Sequence, residues 1–216
     1  FQLRPFNPEH NGKSIYNAAS YGFYREGQAP GQKGPSDEEI IQDLEIISKY
    51  WNLVRVYNAD DDTERLLDII KKNNYPVKVM FGIWLENEKN NPEKHGANLT
   101  NLKRGVEIAK KYKDQIAAIS VGNETQVYWS SHRMSIETLT KYIRFVRKNT
   151  SLPVTTADDY QFCVADSSKE LASEIDFITT HAHPAWNGLT VDNSINWLDS
   201  IYTSVKSTHP DKMVVI

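Results

Sequence analysis

The feature that most constrains this chain is a recurrence. A short run of apolar or β-branched residues is followed by a segment with helical period, over and over. The sequence predicts strands at Ala18–Phe23, Leu53–Tyr57, Val77–Phe81, Ile116–Val121, Val154–Thr156, Phe177–Thr180 and Met213–Ile216. Between them lie helical stripes: Ile40, Ile41, Leu44 and Ile47 after the capping box Ser36-Asp-Glu-Glu39, then Leu66, Leu67 and Ile70, and then Leu102, Val106, Ala109 and Tyr112. Three more follow, at Ile136 to Val146 begun by Ser135, at a short helix capped by Ser167-Ser-Lys-Glu170, and at Ile195, Leu198, Ile201, Tyr202 and Val205. Strands alternating with helices mean a parallel sheet. No composition break marks a second domain, so residues 1–216 read as one unit.

Two parallel architectures compete. A doubly wound nucleotide-binding sheet opens with a glycine-rich turn after its first strand. Here Tyr21-Gly-Phe-Tyr-Arg25 follows instead, with no G-x-G-x-x-G and no phosphate loop. Polar and aromatic residues gather at the C-terminal ends of many strands: Tyr24 and Arg25, Tyr57 and Asn58, Trp84 and Glu86, Asn123 and Glu124, Asp158 to Tyr160, His181 to Trp186. In a (β/α)8 TIM barrel those ends converge on one pocket. The expected fold is therefore that barrel, with this chain supplying strands one to seven and the C-terminal part missing.

Composition excludes several classes. A net charge of −3 gives no electrostatic footprint for nucleic acid or a membrane surface. No run is long enough to span a membrane. The opening FQLRPFNPEH contains no signal peptide, and a processed start would look the same. The single Cys163 rules out an internal disulfide.

Glu124, just past the buried run Ile119 to Val121, is either tied into an ion pair with Arg25 or Arg55 or held there to move a proton. Aromatic residues at strand ends suit the flat C–H faces of sugar rings: Tyr57, Trp84, Trp129, Tyr160 and Trp186 either touch such a ligand or close the barrel top. Arg55 either bonds a catalytic carboxylate or fills the barrel with a paired charge. His181 and His183, at i and i+2 on one strand, face the same way. That spacing suits a metal only with a third ligand from the same rim, such as Asp158, so no metal and no cofactor is expected. The other histidines, His10, His95, His132 and His209, fall in loops or helix flanks. Asn98-Leu-Thr100 and Asn123-Glu-Thr125 fit the N-glycosylation pattern, the second by chance at a pocket edge.

Taken in order, Tyr21-Gly-Phe-Tyr-Arg-Glu-Gly-Gln-Ala-Pro30, Val54-Arg-Val-Tyr57, Val121-Gly-Asn-Glu124 and the strand before His181 resemble glycoside hydrolase family 17 in its bacterial, laminarinase-like form. The resemblance implies a retaining β-1,3-glucanase acting on laminarin-type β-glucan, with Glu124 as general acid/base. Such an acid needs a raised pKa, which burial among Ile119, Val121, Tyr128 and Trp129 would give. It implies that Asn123 bonds the sugar 2-hydroxyl. It also implies substrate contacts from Tyr24, Arg55, Tyr57, Trp84, Trp129, Asp158, Tyr160, His181, His183 and Trp186. In the family the nucleophile follows the seventh strand, so its carboxylate is expected just beyond Ile216, on a further segment or a second polypeptide, and the isolated chain is expected to be inactive. Asp158 and Asp159 are the carboxylates within the chain that would substitute for it, or else would bond sugar hydroxyls or hold arginine and histidine neighbours. A polysaccharide substrate implies a secreted, periplasmic or cell-surface protein. The alternatives are a β-1,3-glucan transglycosylase and a sugar-binding barrel remnant without turnover.

Overall fold

The computed structural model describes residues 2–7, 9, 10, 12–14 and 17–216, and for 9, 10, 13 and 14 the backbone alone. The side chain of His10 thus lies outside the described residues. Among these residues β1 (Glu9–His10) and β2 (Lys13–Ser14) form a small antiparallel pair. The remaining strands are β3 (Ala18–Ser20), β4 (Leu53–Arg55), β5 (Lys78–Ile83), β6 (Ile116–Asn123), β7 (Val154–Asp159), β8 (Ile178–His181) and β9 (Val214–Val215). They form one curled sheet in the order β3-β4-β5-β6-β7-β8-β9, and every neighbouring pair is parallel. These are the seven predicted strands, and sequence order is spatial order, as in a barrel wall.

The crossovers are α1 (Asp37–Tyr50), α2 (Asp61–Asn73), α3 (Pro92–Lys111), α4 (Ile136–Asn149), α5 (Tyr160–Cys163), α6 (Ser168–Ala172) and α7 (Val191–Thr208). Local chemistry sets their starts. Ser36 accepts from Glu39 N–H while the Glu39 carboxylate accepts from Ser36 N–H, the reciprocal cap read in the sequence. Asp60, Asn91 and Ser135 cap α2, α3 and α4 one-sidedly, each side chain accepting a backbone N–H of the first turn. Ser167 does not cap α6 with its side chain, because its own backbone is already helical and turns the hydroxyl away from the amides.

Strand alternation splits the core in two. Val54, Val56, Val79, Phe81, Ile83, Ile119, Val121, Val154 and Ile178 pack outward against the helices in one large cluster. Leu53, Met80, Ala118 and Phe177 form a smaller cluster with Phe6, which stacks on Phe177 with ring centroids 4.2 Å apart. The N-terminal segment thereby plugs the end of the sheet opposite the strand C-termini. Arg4 anchors it, donating from Nη1 to Leu152 O (2.9 Å), from Nη2 to Arg147 O (2.7 Å) and from its backbone N–H to Asp176 Oδ1 (2.7 Å).

Two predicted core positions of the last helix lie outside. Ile195 is 72% exposed and Tyr202 is exposed too, whereas Ile201 and Val205 are buried. Asn98, the first residue of a glycosylation pattern, is 1% exposed within α3. It donates to Glu86 O and Glu88 Oε2 and accepts from Glu86 N–H, which ties α3 to the loop after β5.

Candidate active site

The site grows out of an irregularity in β6. Ser120 lies opposite Thr155 and Asn123 opposite Ala157, so three steps on β6 match two on β7. One extra residue is therefore inserted, a β-bulge. Gly122 carries it with φ +77°, and a Cβ there would sit 3.0 Å from the Thr125 methyl. Glu124 follows with φ +51°, also left-handed, with its N–H on Ala157 O at 2.8 Å. Consecutive residues of a regular strand point to opposite faces. Across the bulge, Asn123 and Glu124 each reach one member of a linked pair of side chains.

Arg55 and His181 are that pair. Arg55 Nη2 donates to Asn123 Oδ1 (2.7 Å), Arg55 Nη1 contacts His181 Nε2 (2.6 Å), and His181 Nδ1 contacts Glu124 Oε1 (2.8 Å). A guanidinium only donates, so His181 Nε2 must accept. The imidazole proton is then on Nδ1, aimed at Glu124. Burial first, then the Arg55 charge, lowers the His181 pKa, which favours the neutral ring in this role. Burial lowers the Arg55 pKa as well, and Tyr57 and Glu124 oppose that shift. The Arg55 guanidinium lies over the Tyr57 ring, 4.6 Å from its centroid.

The alternative reading of Glu124, an ion pair with Arg25 or Arg55, differs from this geometry. Arg25 pairs with Asp43 at 2.8 Å on α1, and Arg55 is directed at Asn123 and His181. The metal reading also changes. Glu124, His181 and His183 each bring a ligand atom within 4.8 Å of the others, so the third donor at this rim is Glu124 and not Asp158. Yet Arg55 requires a lone pair at Nε2, and a neutral imidazole bound through Nδ1 would carry its proton there. The donor set therefore fits a metal poorly.

Aromatic residues surround the cluster. Tyr24, Tyr57 and Trp84 line a cavity of about 490 Å³ with Tyr21, Asn58 and Asp60. Trp84 Nε1 donates to Glu86 Oε1 at 3.0 Å, and the Trp84 ring meets His132 edge-on. Trp186 is 77% exposed and packs on His183 with centroids 4.2 Å apart; Trp129 is exposed as well.

Two expected members are not brought in. Tyr160 starts α5 and packs edge-on against Trp197 of α7, 5.4 Å between centroids. Asp158 is 1% exposed, so it does not reach a sugar directly. Its carboxylate accepts backbone N–H groups from Gln126 (2.8 Å) and Asp159 (3.0 Å), not arginine or histidine. Asp159 caps α5 by accepting from Gln161 N–H. The buried Cys163 thiol is pushed up to about 12 by burial and takes no part in the cluster.

Residues 18–216 match the model of the BtgE/BtgC glycoside hydrolase domain. The chain belongs to the BtgE/BtgC glycoside hydrolase family. Among relatives of this family, the glucan endo-1,3-β-glucosidase btgC of Emericella nidulans is 25% identical over 179 residues, covering 79% of this chain and 26% of that protein. The chain thus spans about a quarter of the length of the BtgC relatives it matches. Among solved structures, an endo-laminarinase from Formosa Hel1_33_131 superposes with a TM-score of 0.76 at 21% identity, over 92% of this chain and 64% of that one. A glycoside hydrolase family 17 β-1,3-glucanosyltransferase from Rhizomucor miehei gives 0.73 at 21% identity, over 92% and 69%. At these identities the two structures bear on the fold alone, and they agree with the barrel expected from the sequence.

Proposed function

We propose that the protein is a retaining glycoside hydrolase of β-1,3-glucan, laminarin included, in which Glu124 is the general acid/base. The observation that carries this reading is the bulge that turns Glu124 into the mouth against the Nδ1–H of His181. Cleavage passes through an oxocarbenium-like transition state, so the departing oxygen must gain a proton and the attacking water must later lose one. A carboxyl group on a fixed backbone, hydrogen-bonded through one oxygen and open through the other, can do both. Asn123, held by Arg55, is then positioned for a sugar hydroxyl. Tyr24, Tyr57 and Trp84, which share one cavity, and Trp129, His183 and Trp186 offer apolar faces for pyranose rings.

The second carboxylate belongs, in this proposal, just past Ile216, in a single barrel domain whose closing segment extends beyond these residues. Register supports it. Thr179 pairs with Val215, so the position level with His181 is two residues past Val215. The names of the relatives support the substrate, since those of the matched curated proteins refer to 1,3-β-glucan bonds. A glucanosyltransferase among the structural neighbours keeps transfer to a second sugar as the alternative outcome of the same first step. No helix among the described residues is long and apolar enough to cross a membrane, and a polymeric substrate that cannot enter cells favours an external location.

Glu124→Gln in the full-length protein tests the assignment. Hydrolysis of β-1,3-glucan should fall by about 10²–10⁴-fold with oligosaccharide binding within a few-fold of wild type. Substrates with activated leaving groups should recover turnover when azide assists the second step. Near-wild-type hydrolysis of unactivated glucan by this variant would remove Glu124 from the role.

A further inference from the structure

We propose that Asp158 is a positioning residue for Glu124, clamping the backbone after the bulge so that Glu124 stays in the conformation from which it meets His181. The consequence for turnover rests on the hydrolase reading above; the geometry does not.

Asp158 sits on β7 between two residues that frame the site. Ala157 O receives the Glu124 N–H, and Asp159 pairs with His181. Alternation turns the Asp158 side chain to the opposite face, away from the mouth. From there Oδ2 accepts the Gln126 N–H, two residues past Glu124, while Oδ1 accepts the Asp159 N–H. One carboxylate therefore joins the segment carrying Glu124 to the strand end beside His181.

Glu124 needs such a restraint. A non-glycine residue at positive φ is uncommon, and it persists only where its surroundings fix it. Among the hydrogen bonds that hold the backbone of residues 124–126 are Glu124 N–H to Ala157 O, Met134 N–H to Thr125 O (3.0 Å) and Gln126 N–H to Asp158. The first two join backbone to backbone and are indifferent to side chains. The third reaches across from β7 through a side chain and depends on a group with two acceptor oxygens. A carboxylate buried with amide donors in place of a cation is costly, and burial accordingly pushes Asp158 up to about 7. Asparagine has nearly the same shape but accepts through one atom only, so it keeps one amide and loses the other.

The test is Asp158→Asn with histidine-selective nitrogen NMR and amide exchange. In the wild type His181 should show a protonated Nδ1 and a bare Nε2. The variant should shift the Nδ1 resonance in the same direction as Glu124→Gln does and speed Gln126 amide exchange by at least about tenfold. On β-1,3-glucan kcat should fall at least about tenfold with KM within about twofold, and activated aryl glucosides should lose less. Wild-type His181 shifts together with wild-type Gln126 exchange in Asp158→Asn would overturn the proposal. If the variant does not fold, the unmodified protein decides. Its Gln126 amide should exchange at least about 100-fold more slowly than those of the exposed Tyr128 and Trp129, and equal rates would overturn the clamp. A protected Gln126 amide in a protein that cleaves no glucan would support the clamp and refute the hydrolase reading.

Discussion

At the residue scale, Asp158 gives the chain a defined response to pH. Its folded pKa, about 7, is above the ordinary 3.8, with burial the first cause and the nearby Glu124 charge a lesser one. Between those values the folded protein holds a proton that the unfolded chain has released. The stability tied to this group is full below the ordinary aspartate value and is lost as pH rises through about 7. His181 runs the other way, since its lowered pKa stabilises the fold above the ordinary histidine value and fails as pH falls. Chemical denaturation of wild type and Asp158→Asn at pH 4, 5.5 and 7 should separate the two. Wild-type stability should fall relative to the variant across this range, and parallel curves would contradict the shift. Glu124, Asp159 and the Cys163 thiol are the other titratable groups near Asp158, so the comparison is cleanest below the thiol range. The sequence made Glu124, Asn123, Arg55 and His181 legible, and all four converge. It misread Asp158 because direction on a strand depends on register, and the fifth strand extends to Asp159, beyond the apolar stretch Val154–Thr156 by which it was recognised.

At the scale of elements, apolar runs found the strand centres and missed their ends. β6 continues through Gly122 and Asn123, and β7 through two aspartates, because ladder hydrogen bonds do not require apolar side chains. Those polar ends are where the site is built. The bulge was foreshadowed only by Gly122, which in a strand can mark a bulge or a close approach. Gly122→Ala should expose its importance. The left-handed backbone costs a non-glycine residue about 1–2 kcal/mol. The new methyl would also crowd Thr125 Cγ2 at 3.0 Å and Leu139 Cδ1 at 3.3 Å. The variant should therefore lose at least that much unfolding free energy in denaturant titrations and, on the hydrolase reading, more turnover of β-1,3-glucan than the change in stability explains. Unchanged stability and activity would show that β6 can shed its extra residue. The cap of α1 lies at the opposite extreme, since Ser36 and Glu39 form in the structure the same box they spell in the sequence.

At the scale of the whole molecule, the seven-stranded sheet has two free edges among the described residues, β3 and β9. The exposed Val191, Ile195 and Tyr202 recur along one side of α7. Unpaired edges and apolar stripes are surfaces that closed barrels cover. Residues 1–216 alone should therefore melt at lower temperature, and bind more of a hydrophobic dye, than a longer form of the protein that supplies an eighth strand. Equal melting would mean that seven strands suffice. The parallel barrel wall was readable from the strand and helix alternation; the plug at its far end was not, because nothing in the first seven residues names their distant partners. Arg4 bonds residues 143, 148 and 172 positions away, and Phe6 stacks on Phe177. At a synthesis rate of about 5–20 residues per second, roughly 10–30 s separate the emergence of Arg4 from that of Asp176. Arg4 and Phe6 must therefore wait unanchored until most of the wall has been made, so the floor of the barrel is laid after its walls.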